Sequence, residues 1–256
     1  MEQKKNAGSI PGRETEKNGR RTAAIVLAAG QGKRMNSPVA KQFMELEGRP
    51  LVVHSLQAFE DCPAVDTVIL VTGAGEISYC REEVTERYGL KKVSAVIAGG
   101  AERYDSVFAG LEELRRAGFP EDGAVLIHDG ARPLVSEELI LRAVDGAEQF
   151  HACAAAVPVK DTIKTADADG FCSGTLKRSE LWQIQTPQAF LFGLIHHAYK
   201  KMFSGEEYRK DVTDDAMVVE KMTDRKVRLI AGDYSNIKVT TPEDMAVAAA
   251  LMKLRG

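Results

Sequence analysis

The sequence predicts an α/β protein built on a doubly wound, mostly parallel sheet. From Thr22 onward, short β-branched runs alternate with amphipathic segments, the pattern of successive βαβ units. Two of the runs end in loops of unusual composition, "AAGQGKRM" (Ala28–Met35) and "HDGARP" (His128–Pro133). In sheets of this kind, ligands sit beyond the carboxyl ends of the strands.

Taken in order, strands are expected over Ala23–Ala28, Thr67–Thr72, Val93–Ile97, Ala124–Ile127, Ala152–Val157 and Val227–Ala231. Helical patterns lie between them, near Pro50–Glu60, Glu76–Tyr88, Arg103–Ala117, Ser136–Glu148, Phe190–Met202 and Asp214–Lys221. A last helix starts near Thr241, with Pro242 in its first turn and Glu243 and Asp244 at its positive end. The stretch Lys160–Arg178, "KDTIKTADADGFCSGTLKR", breaks this rhythm. Its "DADG" between "TIKTA" and "SGTLK" reads as a hairpin connection, and an inserted hairpin is either a lid or a dimerisation arm. Residues 1–21 are polar, hold six Lys/Arg against three Glu, and lack the apolar core of a signal peptide. They are expected to be a disordered tail, leaving one domain over 22–256.

Composition excludes several classes. At 256 residues, 44% hydrophobic and 28% charged, the chain is an ordinary globular protein. A net charge of −3 offers nothing global to nucleic acid or to an anionic membrane. No apolar run approaches the ~20 residues of a membrane span. Cys62, Cys80, Cys153 and Cys172 are far apart and show no metal-ligand spacing. They read as the reduced thiols of a cytoplasmic protein.

The first loop is not a dinucleotide fingerprint. Where the third glycine of GxGxxG would stand there is Met35, preceded by Lys33 and Arg34. A Walker P-loop is absent too. A hydride-transferring dehydrogenase is therefore disfavoured. What remains is either a plain connection or a glycine turn whose amides wrap a polyphosphate, with Arg34 close by and Lys41 further along. In "HDGARP" a carboxylate, Asp129, follows an apolar run directly, then Gly130 and Arg132. Asp129 either caps the turn or holds Mg²⁺, a metal that takes one or two carboxylates and completes its shell with water and phosphate oxygens. His128, without an evident partner, reads as a packing residue. In "AGGAERYDSV" two glycines lead into a helix bearing Arg103 and Ser106, where backbone groups could read a base. Lys238, in "SNIKVTTPEDM", is either solvated or functional. Thr186 and Thr213 are either phosphate donors or helix N-caps.

The ordered set "AAIVLAAGQGKRM", "KQF", "AGGAERYDSV", "HDGARPLV", "VPVKDTIK", "LWQIQTPQAF", "TDDA" and "NIKVTTPEDM" resembles the 2-C-methyl-D-erythritol 4-phosphate cytidylyltransferases, from about Thr22 to the last helix. The resemblance implies a nucleotidyltransferase-like variant of the Rossmann fold, working as a homodimer through a protruding β-arm at 160–178. It implies that Ala28, Ala29, Gly30, Gly32, Gly100, Ala101 and Ser106 bind CTP. It implies that Asp129 binds Mg²⁺ and that Arg34, Lys41 and Lys238 neutralise charge at the reacting phosphates. The acceptor, 2-C-methyl-D-erythritol 4-phosphate, would meet Arg132, Thr162, Arg178, Thr186, Thr213 and Asp214, with arm residues reaching the partner's site. Ala29 in "LAAG" favours this acceptor; the alternative is a cytidylyltransferase for another polyol phosphate such as D-ribitol 5-phosphate. A binding module that had lost catalysis would be expected to replace Lys41, Asp129 or Lys238, and all three are present. The cyclodiphosphate synthase domain fused to some relatives is not expected after the last helix.

Overall fold

A computed structural model of the chain describes residues 20–30 and 40–255. The expected tail lies outside them apart from Arg20 and Arg21, as do Gly32, Lys33, Arg34 and Met35. Eleven strands and seven α-helices are found among the described residues. All six expected strands are present, each within two residues of the expected bounds. They are β1 (Thr22–Ala28), β4 (Thr67–Thr72), β5 (Val93–Ala98), β6 (Ala124–Asp129), β7 (Ala152–Pro158) and β11 (Arg228–Ala231). Together with β10 (Trp182–Leu191) they form one sheet in the order β11–β7–β10–β6–β1–β4–β5. A short ribbon of β2 (Glu45–Leu46) and β3 (Arg49–Pro50) precedes α1 (Leu51–Asp61).

Side chains of the central strands alternate between two cores, as a period of two requires. Ala24, Val26 and Leu126 face α1 and α4 (Glu137–Phe150). Ala23, Ile25 and Ile127 face α3 (Arg103–Arg116), α5 (Phe192–Met202) and α6 (Asp215–Met222). Every residue of β6 is buried, which explains its unbroken apolar run. The last helix, α7 (Pro242–Arg255), covers a third cluster with Leu46, Leu134 and Val239. Asp244 secures its start, accepting from Thr240 N and Thr241 N at 2.7 and 2.9 Å.

Two expectations need correction. The segment Glu76–Tyr88 is not one regular helix: α2 (Ile77–Tyr79) runs into a π-helical stretch over Cys80–Glu86. More consequentially, "WQIQTPQAFL" is strand β10, not a lead-in to a helix at Phe190, and α5 begins at Phe192. In this sheet β10 alone runs antiparallel, between β6 and β7. Its buried Gln185, Thr186 and Gln188 and its proline disguise it as a loop.

The hairpin is found: β8 (Lys164–Ala166) pairs antiparallel with β9 (Cys172–Thr175). Asp167 Oδ1 accepts from Asp169 N and Phe171 N, and Gly170 takes φ 86°, which closes the "DADG" turn. This arm stands in solvent, with Phe171 73% exposed.

Helix α3 lies close on β1. A Cβ at Gly110 would stand 2.7 Å from Ile25 Cγ2. Gly110→Val is therefore expected to cost about 1–3 kcal/mol by overpacking, lowering Tm by roughly 2–10 °C in calorimetry. An unchanged Tm would show that α3 is not seated in this way.

Candidate active site

The parallel strands β1, β4, β5 and β6 all end at one edge, and the strand order reverses at β1, which has β4 on one side and β6 on the other. The cleft opens there. One wall is Ala28, Ala29 and Gly30, which leave β1; the other is Gly100, Ala101 and Ser106 at the start of α3. These walls approach closely because Gly99 between them has no side chain: a Cβ there would lie 2.7 Å from Ala29 Cβ and 2.5 Å from Ser106 Oγ. Ser106 Oγ accepts from Gly100 N at 3.2 Å, fixing the glycine turn. A second hollow, lined by Gly73, Gly75 and Glu76, adjoins the first across Ala29, Gly30 and Gly100.

At the floor lies Asp129, the last residue of β6, 8% exposed. Lys238 Nζ is 2.7 Å from its Oδ2, and Arg103 Nε donates to its Oδ1 at 3.2 Å. Burial pushes the Asp129 carboxyl up, but Arg103 and Lys238 outweigh it and hold the group well below the usual carboxylate range. Lys41 also lines the cleft and donates to Val239 O at 3.2 Å.

Lys238 is aimed by its neighbours. Asn236, fully buried, donates to Thr186 O at 2.8 Å, and Val239 N donates to Ala131 O at 2.8 Å. The segment between them is thereby held against the "HDGARP" turn. Arg132 Nη1 donates to Asn236 O at 2.8 Å, while its buried Nε has no partner.

His128 is fully buried behind Asp129, a packing residue as expected. Its Nε2 faces Arg132 O at 3.2 Å and its Nδ1 faces Thr186 Oγ1 at 3.1 Å. A carbonyl can only accept, so Nε2 carries the proton and Nδ1 accepts from the Thr186 hydroxyl. Burial lowers the ring to about 4, so it stays neutral. Thr186 Oγ1 also accepts from Asp129 N at 3.1 Å. Its single proton is thus spent, which corrects the expectation that Thr186 donates to a substrate phosphate; nor is it a helix N-cap. It holds the Asp129 backbone from behind.

Of the residues expected to meet the acceptor, Thr213 is exposed just before α6, and Asp214 is that helix's N-cap. Asp214 accepts from Met217 N at 2.9 Å and from Gln188 Nε2 at 3.0 Å. Thr162 and Arg178 are exposed on the arm and do not line the cleft. Arg178 donates to Lys160 O at 3.1 Å.

Sequence reasoning passed over Asp215 and named Arg103 without giving it a role. Arg103 Nη1 and Nη2 donate to the two oxygens of fully buried Asp215 at 2.9 and 2.7 Å, and Tyr199 Oη donates to the same carboxylate at 2.5 Å. The only signals were an arginine in a first helical turn and an Asp–Asp doublet.

The donor set fits a single-carboxylate cation site completed by phosphate oxygens. Asp129 is a charged carboxylate at the cleft floor, and among the described residues no three His, Cys, Asp or Glu side chains gather elsewhere to hold a metal.

Comparison with known proteins agrees over nearly the whole chain. Residues 22–254 match the family model for 2-C-methyl-D-erythritol 4-phosphate cytidylyltransferase. A protein of that name from Lachnospira eligens is 47% identical over 90% of this chain and 98% of its own length. One from Pelotomaculum thermopropionicum is 46% identical over 92% and 95%. The crystal structure of 4-diphosphocytidyl-2C-methyl-D-erythritol synthase from Anaerococcus prevotii superposes with a TM-score of 0.78 at 34% identity, covering 91% of this chain and 96% of that one.

The neutral His128 generates a pH prediction. Its folded value lies near 4 against about 6.5 unfolded. Between these the unfolded chain binds a proton that the native one does not, so stability falls as pH falls through this window. In chelator, urea melts are expected to lose roughly 2 kcal/mol from this group between pH 7 and pH 5, and His128→Gln should remove that part of the slope. Equal slopes in both proteins would contradict the assignment.

Proposed function

Because the chain belongs to the 2-C-methyl-D-erythritol 4-phosphate cytidylyltransferase family, we propose that the cleft over Asp129 is where CTP and the acceptor phosphate meet. The enzyme is a CTP-dependent nucleotidyltransferase of the non-mevalonate isoprenoid pathway. It transfers a cytidylyl group from CTP to 2-C-methyl-D-erythritol 4-phosphate, giving 4-diphosphocytidyl-2-C-methyl-D-erythritol and pyrophosphate. The observation that carries the site assignment is the grouping of Lys41, Lys238 and Arg103 around one buried carboxylate at the strand-order reversal.

In this reading Ala28, Ala29, Gly30 and Gly32 line the nucleotide's path, and Gly100, Ala101 and Ser106 meet its base and ribose. A phosphate oxygen of the acceptor attacks the α-phosphorus of CTP. The bond from that phosphorus to the bridging oxygen breaks, and the electron pair leaves with pyrophosphate. The acceptor monoester is already largely ionised near neutral pH (pKa about 6), so no general base is needed, and the buried His128, with both ring nitrogens hydrogen-bonded within the protein, does not supply one. The barrier is the approach of one anion to another. Arg34, Lys41 and Lys238 lower it by fixed positive charge and positioning. A divalent cation, Mg²⁺ in this reading, would be held by Asp129 and would add positive charge along the triphosphate.

Arg132, Thr213 and Asp214 would bound the acceptor side, with Thr162 and Arg178 supplied across a homodimer. Support for the homodimer is the arm's exposed apolar surface, Ile163, Phe171 and Leu176, more than a lone hairpin keeps in water. Among the described residues no helix is long and apolar enough to cross a membrane, which is compatible with a cytoplasmic setting.

Lys41→Ala tests the reading. Pyrophosphate release from CTP and 2-C-methyl-D-erythritol 4-phosphate is expected to slow by about 10²–10³, or ~3–4 kcal/mol. D-Ribitol 5-phosphate and UTP, ATP and GTP should be poor substitutes for the wild type. Near-wild-type turnover by Lys41→Ala would refute the assignment.

A further inference from the structure

A network lies beneath the cleft and joins its floor to the start of α6. Arg103, in the first turn of α3, uses all three faces of its guanidinium. Nε bonds Asp129 Oδ1 at 3.2 Å, and Nη1 and Nη2 bond the oxygens of Asp215 at 2.9 and 2.7 Å. Asp215 is the first residue of α6 and is fully buried. Tyr199 of α5, also fully buried, fixes the same carboxylate. The start of α6 is held from its other side by Gln188 of β10, which donates to Asp214 Oδ2 at 3.0 Å and accepts from Ala216 N at 2.8 Å.

We propose that Arg103 is a positioning residue for cytidylyl transfer, joining Asp129 at the nucleotide end and the start of α6 at the acceptor end into one rigid unit. An ion pair serving stability alone would be complete with Asp215. The third bond, to Asp129, is the one that reaches the reaction centre. It ties down Oδ1 and fixes the plane of the carboxylate, leaving Oδ2, where Lys238 stands, as the oxygen that faces exchange with ligands. Only a planar fork with five donors makes these bonds together; a lysine in its place keeps the charge and loses the geometry. The inference rests on the reading of Asp129 and of Thr213–Asp214 given above.

The test compares Arg103→Lys, Asp129→Asn and the double variant, with rates expressed per folded molecule. CTP affinity is measured calorimetrically without the acceptor. Arg103→Lys is expected to lower kcat/KM for both substrates about 10–100-fold, the range for partners that orient a ligating group. The change is expected to appear in kcat as well as in the acceptor KM, with CTP affinity weakened less than kcat. In the Asp129→Asn background the same substitution should add little, because its effect passes through the carboxylate. Should Arg103→Lys fold poorly, the pair Arg103→Gln with Asp215→Asn removes both charges together and leaves neither buried alone; the same loss per folded molecule is expected. Wild-type kcat/KM in folded Arg103 variants, or a full additive loss on top of Asp129→Asn, would overturn the proposal. Full activity in Asp129→Asn would instead overturn the site assignment beneath it.

Discussion

A carboxylate as buried as Asp129 keeps its charge because two cations face it, Lys238 at 2.7 Å and Arg103 at 3.2 Å. Much of the structure around the cleft can be read as what is needed to keep those two in place. Lys238 is aimed by Asn236 and Val239, which tie its segment to β10 and to the "HDGARP" turn. Arg103 is held by Asp215, and burial, which alone would lower the guanidinium, is outweighed by Asp215 and Asp129, which raise it. Stripping one partner from a buried pair of this kind typically costs about 3–5 kcal/mol. The elements that carry these groups, α3, β6, α6 and the segment before α7, are therefore coupled by charge as well as by apolar packing.

That arrangement also bears on the proposed nucleotide site. Among the described residues, Lys41, Arg103 and Lys238 line the cleft against the carboxylates of Glu102 and Asp129, and the low dielectric of the floor strengthens the interactions made there. On the proposed function, these cations would meet the triphosphate as fixed charge. His128 remains neutral between them, spending its protonation state on orientation.

The parts legible in the sequence share a physical character. The strands β1, β4 and β6 are apolar because they are covered on both faces, and a run such as "AVLI" has few other uses. The glycine walls and Asp129 were each weak signals alone and were singled out by their fixed order along the chain; the structure brings them to one cleft. Strand β10 was not, because Gln185, Thr186 and Gln188 point inward to bond Asn236, His128 and the start of α6, so its buried face is polar. Arg103 was visible in its motif but its role was not: the partner Asp215 is 112 residues away in sequence, and no local pattern encodes that separation. Asp214 was singled out for the acceptor, and its helix-capping bond to Met217 N was not foreseen. The contribution of Gly32 and Arg34 lies outside the described residues.

The placement of β10 has a consequence for how the chain reaches this state. Strands β6 and β7 come earlier in the sequence, joined by α4, yet they are not neighbours: β10 lies between them and pairs with both. Until the chain has emerged as far as Leu191, both strands expose an unpaired edge, and each edge is a template for mispairing. The order of synthesis thus leaves a gap in the middle of the sheet that a later, antiparallel segment must fill. Once it enters, Thr186 meets His128 and Asp129, so closing the middle of the sheet also sets the backing of the cleft floor, which Lys238 completes only when the chain has reached it.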